Sequence, residues 1–140
     1  MLTIVNSTDS RSVRNKDSIL AFYELMINQQ KPAEAAAKYL VPEYIQHNPS
    51  APNGADGLAS YFGQLFKNNP KLHVKFHKII ASGDYVWAHV NYVFSDDPHD
   101  RGVAAVHIWR MNSDGKAVEH WDVRQDVSDP KKSANSNGMF

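Results

Sequence analysis

The strand that decides the predicted fold is Gly115–Val127, with the sequence GKAVEHWDVRQDV. Successive side chains of a strand point to opposite faces, so His120, Asp122 and Arg124 share one face. An imidazole, a carboxylate and a guanidinium in a row are poorly suited to an apolar core, because buried polar groups need partners. We therefore predict that this face forms the wall of a polar pocket.

The strand before it is predicted at Val103–Arg110, VAAVHIWR, where His107 stands among apolar neighbours. Residues 112–115, Asn-Ser-Asp-Gly, separate the two strands. An Asp-Gly pair supplies the positive φ angles that tight hairpin turns require. We expect the two strands to be antiparallel neighbours, with His107 facing Asp122 across the sheet.

Helical patterns occupy the first half of the chain. Apolar residues recur every three or four positions from Lys16 to Ile27, and Asn15 is a suitable N-cap for this helix. Pro32 opens a second helix that is predicted to end near Leu40. A short helical turn is predicted over residues 42–48, and another amphipathic helix over residues 58–66.

Strand patterns follow the helices. Apolar and polar residues alternate over residues 72–77, and residues 85–94 are rich in β-branched and aromatic residues. Helices followed by a run of strands predict an α+β fold, in which a curved antiparallel sheet wraps around the N-terminal helices and leaves a cavity between the layers. We expect a flexible N-terminal arm at 1–15, one domain at 16–129 and a disordered tail at 130–140.

Composition narrows the functional classes. The chain has 140 residues, 15 basic and 15 acidic side chains and no cysteine. This balance argues against a nucleic-acid or anionic-membrane partner, and the lack of cysteine excludes disulfides and thiolate chemistry. No apolar run approaches the roughly 20 residues of a membrane span, and the N-terminus does not resemble a secretory signal. We expect a cytoplasmic protein without a membrane partner.

Four short strings resemble the SnoaL-like polyketide cyclase branch of the nuclear transport factor 2-like superfamily. They are YIQHNP at 44–49, GDYVWAH at 83–89, HIWR at 107–110 and GKAVEHWD at 115–122. The resemblance extends over residues from about 16 to about 127. It implies a cystatin-like α+β cone, commonly a homodimer through the outer sheet face, with a pocket between helices and sheet. Characterised cyclases of this type close a ring by intramolecular aldol condensation, with an aspartate as acid/base and no metal or organic cofactor.

The resemblance also suggests roles for individual residues. Asp122 occupies the position of the acid/base aspartate. His107 stands where many relatives carry an aspartate, which leaves open whether Asp122 or His107 is the main base. The resemblance places His47 and Asn48 at the pocket mouth and His89 on the pocket wall. Together, the residues expected to bind a small-molecule substrate are Tyr44, His47, Asn48, His89, Trp109 and His120.

Other readings of the same residues stay open. The histidines near Asp122 allow a metal site geometrically, although we expect none and no cofactor. If Asp122 points inward, Trp121 points outward, and an outward aromatic row is best covered by a second subunit. Arg110 and Arg124 are expected to form local ion pairs. The alternative functions are a non-catalytic ligand-binding or dimer-scaffold protein, or an isomerase, dehydratase or hydrolase using the same pocket.

Overall fold

The computed structural model describes all 140 residues. In chain order the elements are β1 Leu2–Val5, α1 Ser10–Tyr23, α2 Pro32–Tyr39, β2 Leu40–Gln46, α3 Ala55–Asn68, β3 His73–Ser82, β4 Tyr85–Val93, β5 Val103–Met111 and β6 Ala117–Asp126. A π-helical turn, Glu24–Asn28, extends α1, and a 3-10 turn, Pro130–Lys132, follows β6. None of the helices combines the length and apolar character needed to cross a membrane.

The six strands form one curved, open sheet in the order β1-β3-β4-β5-β6-β2. The central strands β3 to β6 are antiparallel, as predicted, and His107 lies opposite Asp122 in the β5–β6 pairing. Both edge strands are parallel to their neighbours, β1 to β3 and β2 to β6. The sheet is therefore mixed rather than purely antiparallel, and the predicted α+β class is confirmed.

The helices cover the inner face of the sheet and bury the apolar core against it. Met26 and Ile27 at the end of the first helix, Tyr44 on β2 and Ile79 and Val86 on the sheet are at most 1% exposed. Burial of each such large apolar side chain contributes roughly 1.5–3 kcal/mol, which holds the two layers together.

The predicted N-terminal arm is wrong, because residues 2–5 form β1 and α1 begins at Ser10. Asp9 is the true N-cap, and its carboxylate accepts a hydrogen bond of 3.1 Å from the backbone N–H of Arg11. Asn15, expected as the cap, is instead fully buried within α1, where its amide donates to the carbonyl of Gly83 at 2.9 Å. A buried polar side chain with a distant partner cannot be recognised from local sequence.

The helical turn predicted over residues 42–48 is also wrong, because residues 42–46 belong to β2. Proline lacks an N–H to donate to a sheet, and β2 tolerates it because the strand lies at the sheet edge. Beyond β6 the chain has no helix or strand apart from the 3-10 turn. The ring of Phe140 stacks on His77 with 4.2 Å between ring centres.

The outer face of the sheet carries a row of apolar side chains in register. Ile4, Ile80, Trp87, Ile108 and Trp121 are successive partners across β1, β3, β4, β5 and β6. Trp87 remains 47% exposed and Ile80 44% exposed. Trp121 thus points away from the helices, as expected from the inward orientation of Asp122. We call these five residues the outer row.

Candidate functional site

A cavity lies between the helices and the inner face of the sheet. Thirteen of its 19 lining residues are hydrophobic, and the polar ones are concentrated on β2, β5 and β6. The cavity has a volume of about 80 Å³, whereas a single water needs roughly 10–15 Å³. The cavity therefore admits a small organic molecule with an apolar body.

The face of β6 predicted to form a pocket wall does so, because His120, Asp122 and Arg124 all line the cavity. Asp122 is the only carboxylate among the lining residues, and its side chain is 6% exposed. A negative charge in such an apolar setting needs donors to replace lost water. The electrostatics of the cavity therefore depend on what contacts this one group.

Asn48 supplies the hydrogen-bond donor to Asp122. Its Nδ2 lies 2.9 Å from Oδ1 and 2.8 Å from Oδ2 of the carboxylate. The Oδ1 of Asn48 accepts from the backbone N–H of Ser50 at 2.8 Å, which fixes which end of the amide faces the aspartate. Asn48 thus lines the cavity, and its amide holds the carboxylate in one orientation.

His107 faces Asp122 but does not hydrogen-bond to it. The closest approach, from Nδ1 to Asp122 Oδ2, is 3.9 Å. Instead, Nδ1 lies 2.8 Å from Nε2 of His120, and Nε2 lies 3.1 Å from the hydroxyl of Tyr92. Both ring nitrogens of His107 are therefore occupied by protein partners.

Gln46 fixes the direction of this hydrogen-bond chain. Its Oε1 accepts from the backbone N–H of Asn48 at 3.0 Å and lies 2.8 Å from Nδ1 of His120. A carbonyl oxygen can only accept, so His120 carries its proton on Nδ1 and, when neutral, accepts at Nε2. His107 then donates from Nδ1 to His120, and its Nε2 accepts the hydroxyl proton of Tyr92.

Burial keeps both imidazoles neutral. Desolvation is the main cause that lowers the pKa of His107 well below its usual value, and the nearby His120 and Arg124 lower it further. Burial, together with the charge of His47, lowers the pKa of His120 to about 3. Because His107 is neutral and its single lone pair is occupied by Tyr92, it is a poor candidate base. Asp122, the only carboxylate that lines the cavity, is therefore the better candidate base.

Tyr44 and Trp109, both expected to bind substrate, line the cavity. The hydroxyl oxygen of Tyr44 accepts from Nε2 of Gln46 at 2.9 Å, which leaves its own proton free to donate. Burial and the charge of Asp122 raise the pKa of Tyr44, so this hydroxyl stays protonated. Trp109 packs its ring against His120, with 4.1 Å between ring centres, and donates to the Tyr23 hydroxyl at 3.3 Å.

Two predicted pocket residues lie elsewhere. His47 stands outside the cavity, where its Nε2 contacts Glu119 at 2.8 Å and its ring stacks on Trp121 at 4.7 Å. His89 points to the outer face near Phe140, because its neighbour Ala88 is the residue that faces inward opposite His107. Strand alternation places His89 on the face opposite to Ala88. His47 follows directly after the last residue of β2, where the prediction of a helical turn gave no such guide.

The structure adds residues that the sequence analysis did not single out. Gln46 and Tyr92 complete the chain of hydrogen bonds through the two histidines. Tyr92 could have been found by alternation, since it follows the inward-facing Ala88 and Val90 at intervals of two. The role of Gln46 depends on the parallel pairing of β2 with β6, which places it opposite His120.

The two arginines expected in local ion pairs differ. Arg110 forms the expected pair, with Nη2 2.6 Å from Oε2 of Glu119. Arg124 has no acidic or hydrogen-bonding partner within the protein, although its guanidinium lies over the ring of Tyr92, with Cζ 5.9 Å from the ring centre. That expectation is therefore wrong for Arg124, which is exposed at the cavity rim.

His107, His120 and Asp122 form the only group of three possible metal ligands. Their ligand atoms lie within 4.8 Å of one another. The hydrogen bond between His107 Nδ1 and His120 Nε2 accounts for the proximity of the two rings. A metal ion bound there would have to break this hydrogen bond and change the protonation of His107.

A family model for the SnoaL-like domain matches residues 16–120. This chain belongs to the SnoaL-like domain family. The match contains all of α2, α3 and β2 to β5, and ends at His120 on β6. No curated protein sequence matches this SnoaL-like chain.

Solved structures share the fold of this SnoaL-like domain at low sequence identity. A candidate polyketide cyclase from Bacillus cereus ATCC 10987 has a TM-score of 0.75 at 17% identity, covering 89% of this chain and 84% of its own. IdmH, a candidate polyketide cyclase from Streptomyces antibioticus, has a TM-score of 0.68 at 18% identity, with 79% and 91% covered. A candidate isomerase of the SnoaL-like family from Agrobacterium tumefaciens has a TM-score of 0.63 at 12% identity, with 83% and 98% covered.

Proposed function

We propose that this SnoaL-like protein is an acid/base enzyme that needs no cofactor and acts on a small or medium carbonyl compound, in the manner of an aldol-type cyclase. The observation that carries the proposal is the single buried carboxylate of the cavity, Asp122, held by the Asn48 amide at 2.9 and 2.8 Å. A fixed carboxylate facing an apolar cavity is suited to removing an acidic proton next to a carbonyl.

Each step of the proposed reaction has a residue to perform it. Asp122 takes a proton from the carbon next to the carbonyl, and the C–H electron pair becomes an enolate. The hydroxyl of Tyr44 donates a hydrogen bond to the enolate oxygen, where negative charge develops. The enolate carbon then bonds to a second carbonyl carbon of the same molecule, and the resulting alkoxide takes the proton back from Asp122. The product is an isomer of the substrate.

The neutral imidazoles have a positioning role in this scheme. The order Tyr92 to His107 to His120 to Gln46 uses every ring nitrogen, so neither imidazole competes with Asp122 for the substrate proton. Gln46 also donates to Tyr44 and thereby directs that hydroxyl proton away from itself. An isomerase would use the same carboxylate to return the proton to a different carbon.

The proposal is tested by following hydrogen exchange rather than ring closure. A panel of 1,3-dicarbonyl compounds is incubated in D₂O with the protein, and loss of the signal of the acidic C–H is followed by proton NMR. Asp122→Asn should lower the exchange rate by roughly 100-fold or more, the usual contribution of a positioned base. The matched control is Asp126→Asn, an exposed carboxylate four residues further along β6 and outside the cavity.

The outcomes separate the alternatives. Full exchange activity in Asp122→Asn would reject Asp122 as the base. If the unaltered protein binds several of these compounds but accelerates the hydrogen exchange of none, a non-catalytic ligand-binding protein is favoured. Thermal unfolding of each variant establishes that a lost rate reflects chemistry and not loss of the fold.

We also propose that the protein forms a homodimer through the outer row. The row crosses five strands, which corresponds to roughly 19 Å at the usual strand spacing. It contains no charged residue, and Trp87 within it is 47% exposed. A second copy presents an identical row, so a twofold arrangement would bury both at once.

A further inference from the structure

Arg124 differs from the other arginines of the chain in having no partner. Arg11 pairs with Asp84, Arg101 with Asp129 and Arg110 with Glu119. Arg14 donates to the backbone carbonyl of Ser113 at 2.6 Å. Only the guanidinium of Arg124 contacts neither a carboxylate nor any other acceptor of the protein.

The position of Arg124 is fixed by the strand that carries Asp122. It lies two residues after Asp122 on β6 and on the same inward face, roughly 7 Å away between Cα atoms at the usual rise of a strand. Its guanidinium rests over the face of Tyr92, whose hydroxyl contacts His107 at the base of the cavity. The positive charge of Arg124 therefore lies at the cavity opening, where it faces both the cavity and solvent.

The chemistry of the free group defines what it can bind. A guanidinium presents five N–H donors in a planar fork and accepts nothing. This fork matches the two oxygens of a carboxylate, and such paired, charge-assisted hydrogen bonds are stronger and more directional than neutral ones. No carboxylate of this chain occupies the fork, and the remaining cavity wall is largely apolar.

We infer that Arg124 is a specificity residue that binds a carboxylate group of the substrate at the cavity opening. This inference rests on the proposed function and deepens it, because the substrate class becomes a carbonyl compound with an apolar body and an anionic end. The apolar body occupies the space near Phe22, Phe62 and Leu65, and the acidic C–H reaches Asp122. The positive charge of Arg124 offsets the repulsion between the substrate carboxylate and Asp122.

Binding of matched acids and amides tests the inference. Isothermal titration calorimetry measures the Kd of acetate, 3-methylbutanoate and phenylacetate, each beside its neutral amide, for the full chain. We expect at least one acid to bind about tenfold or more tightly than its amide, the value of a hydrogen bond to a charged group. Arg124→Gln should remove that difference by weakening the acid and leaving the amide unchanged.

Arg101→Gln is the matched control, since this arginine is exposed and lies outside the cavity. It should leave every Kd unchanged. The inference is overturned if no acid of the series binds, if acids and amides bind equally, or if Arg124→Gln weakens both alike. An equal loss in Arg101→Gln would also overturn it, because the effect would then reflect overall charge.

Asp122→Asn separates failure of this inference from failure of the proposed function. Removing the negative charge should tighten the acid, and the preference for acid over amide should still depend on Arg124. Exchange activity that survives in Asp122→Asn would reject the proposed base while leaving the carboxylate site intact. Loss of the acid preference in Arg124→Gln cannot arise from loss of the base, because no proton transfer is involved in binding.

Discussion

The free energy of unfolding of this protein should begin to fall at a pH of about 6.5, before most carboxylates take up protons. His107 and His120 are 3% and 5% exposed and neutral, and burial lowers the pKa of both. In the unfolded chain an ordinary histidine has a pKa of about 6.5. The unfolded state therefore binds protons that the folded state does not, so stability is full above about pH 6.5 and is lost as the pH falls toward the folded-state pKa values.

The size of the effect follows from the two pKa values. With a folded-state pKa of about 3 for His120, moving from pH 7 to pH 5 costs about 2 kcal/mol through this histidine. Burial also lowers the pKa of His107, so His107 adds to the loss in the same direction. Domains of this kind usually have a total stability of about 5–15 kcal/mol. Burial also lowers the pKa of His77 and His89, but these side chains are only partly buried and contribute less.

Urea unfolding followed by tryptophan fluorescence at pH 7, 6, 5.5 and 5 measures this loss. His120→Gln removes one of the two titrating groups and should reduce the loss by about 2 kcal/mol. His99→Gln, at an exposed loop position, should retain the full loss. A free energy of unfolding that is constant between pH 7 and pH 5, or an undiminished loss in His120→Gln, would refute the assignment of a neutral buried pair.

Four further substitutions test other parts of the structure. Asn48→Ala leaves the buried carboxylate of Asp122 without its donor, and we expect a cost of about 1–3 kcal/mol in urea unfolding together with slower C–H exchange. Gly102 has φ +68°, and an added Cβ would lie 1.7 Å from the carbonyl oxygen of Tyr92. Gly102→Ala should therefore lower the free energy of unfolding by about 3 kcal/mol or more. At Gly63 in α3 an added Cβ meets nothing within 4 Å, so Gly63→Ala should raise the free energy of unfolding by about 0.5–1 kcal/mol. Trp87→Lys should convert the proposed dimer to monomers in sedimentation velocity, and a monomeric unaltered protein would reject the dimer.

Local patterns were sufficient to predict the centre of the sheet. Alternation along β6 placed His120, Asp122 and Arg124 on one face, and the Asp-Gly turn placed His107 opposite Asp122. Both inferences use only neighbouring residues and the geometry of a hairpin. The α+β class followed from the order of helices and strands in the same way.

The edges of the sheet were not predictable from local patterns. β1 and β2 pair in parallel with strands about 75 residues away, as in the pairing of Gln46 with His120. Short edge strands carry weak alternation, and the proline in β2 favoured a helical turn instead. The partners of Asp122 and His120 therefore stayed hidden, because Asn48 and Gln46 reach the cavity only through this pairing.

The parallel edge strand β2 has a consequence for how this site can change. Gln46 sets the direction of protons through the imidazoles, and Asn48, two positions later, orients the carboxylate. Both are displaced together by any shift of β2 along β6, its only neighbour in the sheet. A substitution that shifts this edge strand along β6 would therefore change the direction of the hydrogen-bond chain and the orientation of the carboxylate together.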